Sequence, residues 1–291
     1  MYSYAQLDPR NIPAASIAND ATLASGAPVL GVEVTVAALA ARCTLGNLDH
    51  HGPESTTETP SACEQALTCE LPADGAVLAT VRCDADSVTA MAVLASRLAD
   101  RKVSECLVRA IGEMDRLGPK SGSRHDAVIA VARKSSDFRV ALEERVAWVQ
   151  SVLDGTCEAT EIALLKATRD LEFEMARIAS SVVVADEKVA VVVLTLRFAT
   201  NLGYEVANVV VAMNPEFPVD TRDPAKGTCR KFTVARYDSH VPCDIKTALA
   251  ELNALEPGWG GQGDIIGSPQ GQSSILVLSQ VIDLVLRAFR Q

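Results

Sequence analysis

The sequence predicts an α/β protein: a parallel-sheet domain that binds metal, followed by a smaller α/β or α+β domain that binds substrate. Three observations carry the fold. A compact apolar run, Ala76–Arg82, leads through an acidic turn into a stretch with helical apolar spacing. A run of strand-like segments begins near residue 182 and gives way to helices. Apolar residues make up 48% of the 291 and aromatics only 4%, so Val, Ala, Leu and Ile must fill the core. That length is enough for two medium domains with substantial cores.

Residues 1–28, rich in Ala, Ser and Asn with weak periodicity, read as a loosely structured lead-in. Val29–Thr35 reads as a strand and Val36–Arg42 as a short helix. The polar stretch Gly52–Pro60 is a loop, and Ser61–Leu67 a short helix. Ala76–Arg82 is a buried strand. In the helix after it Val88, Met91, Leu94, Ala95 and Leu98 recur on one face, and Asp86 or Ser87 can cap its first amides. Phe138, Leu142, Val146, Val149 and Leu153 mark another helix, ended by Gly155. A charged helix over 158–179 connects the two parts, giving domains at 1–157 and 182–291 with a linker at 158–181. In the second domain Val182–Ala185 and Lys188–Leu196 flank a turn, and Val206–Met213 and Arg230–Tyr237 are further strands. Ile245–Leu252 is helical. A loop over Pro257–Gly271 carries six glycines, and a terminal helix bears Ile275, Leu278, Ile282, Leu286 and Phe289.

The net charge of −10, with no Lys/Arg block, excludes avid binding to duplex nucleic acid. The eight cysteines include no Cys-x-x-Cys pair and read as reduced thiols. No apolar run reaches the ~18 residues that span a bilayer, and no secretory signal is evident. A cytoplasmic protein with no membrane partner is expected, with a homodimer open.

Only four histidines occur, and His50 and His51 stand side by side after Asp49. Imidazole beside carboxylate suits Mn²⁺, Fe²⁺ or Zn²⁺. Asp84 and Asp86 place two more carboxylates at a strand-to-helix turn. Either motif alone reads equally well as turn and cap residues; together they favour a metal site. The glycine-rich loop lets backbone amides approach an anion, with Ser268 and Gln270 as donors and a helix N-terminus expected near Ser274.

Leu48-Asp49-His50-His51 resembles the signature of the DHH phosphoesterase superfamily, and Cys83-Asp84-Ala85-Asp86-Ser87 resembles that superfamily's other acidic motif. Ile111–Asp115 is similar to its later metal-binding segment. Gly260-Gly261-Gln262-Gly263 resembles the substrate loop of its C-terminal associated domain. The resemblance implies one or two Mn²⁺ or Mg²⁺ ions on Asp49, His51, Asp84, Asp86 and Asp115, with His50 nearest the scissile phosphate. It implies substrate contacts from Gly260, Gly261, Gln262 and Gly263, beside the donors Ser268 and Gln270 read from the loop itself. The substrate would be a nucleotide, a cyclic dinucleotide or a short single-stranded oligonucleotide. A member that kept the fold and lost turnover would be a ligand-binding or regulatory module. The sequence departs from the family pattern in three places. Its Asp-x-Asp motif follows Asp-His-His, Thr80 replaces a histidine, and Gln262 stands where the substrate loop has another.

Overall fold

The computed structural model describes residues 1–7, 23, 25–51, 58–118, 125–219, 224–237, 240–262, 264–269 and 271–289. It is the mixed α/β protein the sequence predicts, built on two sheets. The chain divides into two compact units, Met1–Arg169 and Asp170–Gln291, and the division falls within the helix Ala159–Ala179.

The first unit holds strands β1 (Ser3–Gln6), β2 (Val29–Val32), β3 (Asn47–Leu48) and β4 (Val77–Thr80). They form one all-parallel sheet in the order β1-β4-β2-β3. Both faces are covered, as parallel sheets require. Leu30, Val32 and Leu78 join one core with Met91, Leu94, Val128 and Val149, while Val29, Val77 and Ala79 join another with Leu7 and Leu39. The helices are α1 (Ala37–Ala40), α2 (Ala62–Gln65), α3 (Ala85–Leu98), α4 (Glu105–Leu117), α5 (Asp126–Ser135), α6 (Leu142–Asp154) and α7 (Ala159–Ala179).

Three readings of this unit need correction. Ser3–Gln6 is a strand rather than loose lead-in, tied down by β4 and by the buried Tyr2 and Leu7 beside it. Residues 8–22 and most of the 52–60 loop lie outside the described residues. The cap of α3 is Asp84, not Asp86 or Ser87: its Oδ1 accepts from Ser87 N at 3.1 Å, and its own N–H donates to Ser87 Oγ at 3.1 Å. Phe138 precedes α6 rather than opening it. Gly155, with φ 79, does end α6 as a left-handed cap.

The second unit carries β5 (Ser181–Ala185), β6 (Val189–Val193), β7 (Val209–Pro218), β8 (Thr228–Arg236), β9 (Gly260–Gln262) and β10 (Ile265–Gly267). The sheet order is β5-β6-β7-β8-β10-β9, antiparallel except for β6 with β7. Helix α8 (Ala199–Tyr204) and the end of α7 cover one face through Leu202, Phe173 and Ala176. Helices α9 (Ile245–Leu255) and α10 (Leu278–Arg287) cover the other through Ile245, Leu252, Val281 and Leu284. The glycine-rich segment is therefore partly strand rather than loop: β9 pairs antiparallel with β10, and β10 with β8. Helix α10 starts at Leu278, after Ser274 rather than at it. Among the described residues no helix is long and apolar enough to cross a membrane. All eight cysteines are free thiols, as expected.

Candidate metal centre

Parallel strands deliver their following residues to one edge of a sheet, and the chemistry of α/β proteins collects there. Here Glu33 follows β2, Asp49-His50-His51 follows β3, and β4 leads into Asp84 and Asp86. Asn47 locks the first two ends together. Its Nδ2 donates to Val34 O at 3.2 Å, and its Oδ1 accepts from Val34 N at 3.1 Å. Gly31 makes room for it: a Cβ there would stand 2.4 Å from Asn47 Oδ1. Asp49 then turns the chain, its Oδ1 accepting from His51 N at 2.9 Å.

The result is a tight donor group. His50 Nε2 lies 3.2 Å from Glu33 Oε1, 2.9 Å from Asp115 Oδ2 and 3.8 Å from Asp86 Oδ2. His51 Nε2 lies 3.1 Å from the same Glu33 oxygen, with the two imidazole rings 4.1 Å apart. One ligand atom from each of Glu33, His50, His51 and Asp115 falls within 4.8 Å of the other three. Glu33 is only 2% exposed and His50 8%, whereas the His51 and Asp115 side chains are 31% and 24% exposed. The group thus has a buried floor and an accessible side.

Electrostatics in this group are unfavourable to bare protein. Burial, then the charges of Asp84, Asp86 and Asp115, push the Glu33 carboxyl well above its usual range. Burial and Asp115 likewise raise Asp86. Burial works against the charged form of His50, but the Asp115, Asp86 and Asp49 carboxylates outweigh it and raise its pKa overall. By strict geometry both Glu33 oxygens and His50 Nε2 are buried without a hydrogen-bond partner, though the Asp84 side chain lies against Glu33 and the Asp115 side chain against His50. Buried polar atoms in that condition cost on the order of 1–3 kcal/mol each unless something else satisfies them. Glu33 also holds φ at 53°, a backbone conformation unfavourable for a side-chain-bearing residue. Two imidazoles and two carboxylates with their ligand atoms facing one another fit a divalent cation.

The residues expected from sequence fall into three sets. His50, His51 and Asp115 meet in the donor group, and Asp86 adjoins it. Asp86 is fully buried, with its oxygens accepting from Ala62 N at 2.7 Å and Cys63 N at 2.8 Å. Asp49 stands at its margin as a turn residue, and Asp84, the cap of α3, also lies against Glu33. The remainder lie in the second unit. Gly260, Gly261 and Gln262 form β9. Ser268 is buried, its hydroxyl accepting from Phe232 N at 3.0 Å. Gly263 and Gln270 lie outside the described residues. Glu33 is the member that sequence reasoning missed. Its signal was a lone acid inside the apolar run Val29–Thr35.

No protein-family model and no curated protein matches the chain. Among solved structures it is similar to an exopolyphosphatase-related protein from Bacteroides fragilis. The TM-score is 0.39 at 12% identity, over 95% of this chain and 74% of that one.

Proposed function

We propose that the protein is a divalent-metal-dependent phosphoesterase acting on a small phosphorylated substrate: a nucleotide, a cyclic dinucleotide or a short oligonucleotide. The observation that carries the reading is the meeting of Glu33, His50, His51 and Asp115, two imidazoles and two carboxylates, over a floor formed by the buried Glu33 and His50. Hydrolysis of phosphoesters is then the chemistry implied by the resemblance around Asp49–His51 and Asp84–Ser87. A cation held there supplies Lewis acidity toward a phosphoryl group and acidifies water. Glu33 and Asp115 hold it by carboxylate, His50 and His51 by imidazole. Asp86 stands behind His50, and Asp49 fixes the His51 backbone. The acidic chain favours a substrate whose charge the cation can offset locally over a long polyanion.

The test is turnover of a generic phosphodiester, a cyclic dinucleotide and a short oligonucleotide with Mn²⁺ against the same assay in EDTA. Turnover that needs the metal supports the reading. A second reading, a ligand-binding module without turnover, is favoured by Thr80. In place of a family histidine it offers a hydroxyl that donates to Arg82 O at 3.1 Å within its own turn. Metal and nucleotide binding with no hydrolysis would select it.

A further inference from the structure

The six-stranded sheet of the second unit ends on β5, which runs Ser181, Val182, Val183, Val184, Ala185. One side of that strand pairs with β6 in unbroken register, from Ser181 opposite Val193 to Ala185 opposite Val189. Its other side pairs with no strand among the described residues. A bare edge offers N–H and C=O groups to any further strand, and proteins usually block it with Lys, Pro, a bulge or a very short strand. β5 has none of these devices, and Val183 on it is 58% exposed. The margins formed by β1, β3 and β9 are mostly polar, two residues long and glycine-rich respectively. Helix α7, joined to β5 by Ser180 alone, packs Phe173 and Ala176 into a core that Val182 of β5 also enters. Its Leu171, Met175 and Ile178, at i, i+4 and i+7, form an apolar stripe left exposed, Ile178 to 84%. Single exposed apolar residues are ordinary, but a run of them on an adjoining helix and strand marks an interaction surface.

We propose that β5 is the seam of a homodimer, pairing antiparallel with β5 of a second copy about a two-fold axis at Val183 and joining the two sheets into one. The strand is its own complement, as a two-fold interface requires. About that axis Val183 faces its own copy, Val182 faces Val184 and Ser181 faces Ala185, so apolar or small side chains meet throughout. Carried past the strand, the same register sets Asp186 level with Ser180 and Glu187 level with Ala179, so the turn acids do not oppose each other. A chain of net charge −10 repels its copy, but Ile178–Ala185 holds no charged residue and lets the two approach. This self-matching favours a second copy over the strand of another protein. The patch is small beside the roughly 20–30 residues a side of a standard interface, so the dimer is expected to be weak and to dissociate on dilution. The seam is independent of the metal centre.

The experiment is sedimentation equilibrium of the full chain from about 1 to 100 µM, a range that brackets micromolar affinity. The mass is expected to rise with concentration to twice that of one chain. Val183→Lys sets like charges against each other at the axis and should raise the dimer Kd at least about ten-fold. Circular dichroism checks that this variant folds as the parent does. Val183→Cys should form an intermolecular disulfide with its own copy on oxidation, located at residue 183 by mass spectrometry. Val184→Cys should not, because its two copies would stand beyond the ~7 Å reach of a disulfide. Parent protein oxidised alongside accounts for the exposed native thiol of Cys106. A parent that stays monomeric throughout would overturn self-pairing and leave the edge to the strand of another protein. A dimer that folded Val183→Lys does not weaken would place the interface elsewhere on the chain and overturn the seam. If Val183→Lys does not fold, the disulfide decides, and its absence in Val183→Cys would overturn the seam.

Discussion

At the scale of single residues, the centre is an arrangement that the bare chain tolerates rather than favours. Glu33 is buried among the acids Asp84, Asp86 and Asp115, which with burial push its carboxyl toward the protonated form. Replacing it by Gln removes the cost of either desolvating its carboxylate or protonating it. In chelator, Glu33→Gln is therefore expected to melt at or above the parent temperature, and to lose the stabilisation that Mn²⁺ gives the parent. Thermal denaturation with and without metal checks this, and a Glu33→Gln protein that melts well below the parent in chelator would mean that Glu33 is structural. Asp49, His50 and His51 were legible because acid and imidazole cluster in a short motif, and Asp115 only through the family resemblance of Ile111–Asp115. Glu33 was not, because a single acid in an apolar run is too weak a local signature to mark a site. Only the placement of β2 between β3 and β4 makes it a neighbour of the rest.

At the scale of elements, close packing sets where the donors stand. Gly112 on α4 lies against α2, and a Cβ there would come 2.5 Å from Ser61 Oγ and 2.8 Å from Glu64 Cδ. Gly112→Ala should force apart the Ser61–Glu64 capping box and cost about 1–3 kcal/mol, measurable by urea unfolding. Gly31→Ala should instead displace Asn47 and with it the Asp49–His51 turn, so its loss should appear in metal affinity as well as stability. In the second unit Lys231 is buried on β8 and donates to Ser268 O at 2.6 Å. Burial lowers its pKa from 10.5 to about 8. A lowered base binds its proton more weakly folded than unfolded, so stability should rise as pH goes from about 8 toward 10.5. Lys231→Met should flatten that rise in melts across this window. The β4–α3 passage was legible because an apolar run and a helical stripe adjoin. Ser3–Gln6 was not, since a half-buried strand carries little alternation, and the β9–β10 hairpin was hidden by glycines that signal loops.

At the scale of the whole molecule, the two-sheet α/β architecture was legible from the sequence of strand and helix patterns. The strand order β1-β4-β2-β3 was not, because it pairs segments far apart in the chain, and no local pattern encodes such pairing. Each compact unit contains one of the two tryptophans, Trp148 in the first and Trp259 in the second, both buried. Single-tryptophan variants, Trp259→Phe and Trp148→Phe, therefore report the units separately. Metal at a hundred times its Kd should add about 2.7 kcal/mol to unfolding reported by Trp148. It should leave the Trp259 transition in place if the units unfold independently. An unmoved Trp148 transition would place the ion outside the first unit. The central claim, that Glu33, His50, His51 and Asp115 together hold a divalent cation, is tested most directly by anomalous diffraction at the metal edge from crystals grown with Mn²⁺ or Zn²⁺. The account predicts an anomalous peak bonded to those four side chains. A map without that peak, or with its peak on Asp49 and Asp84 instead, would contradict it.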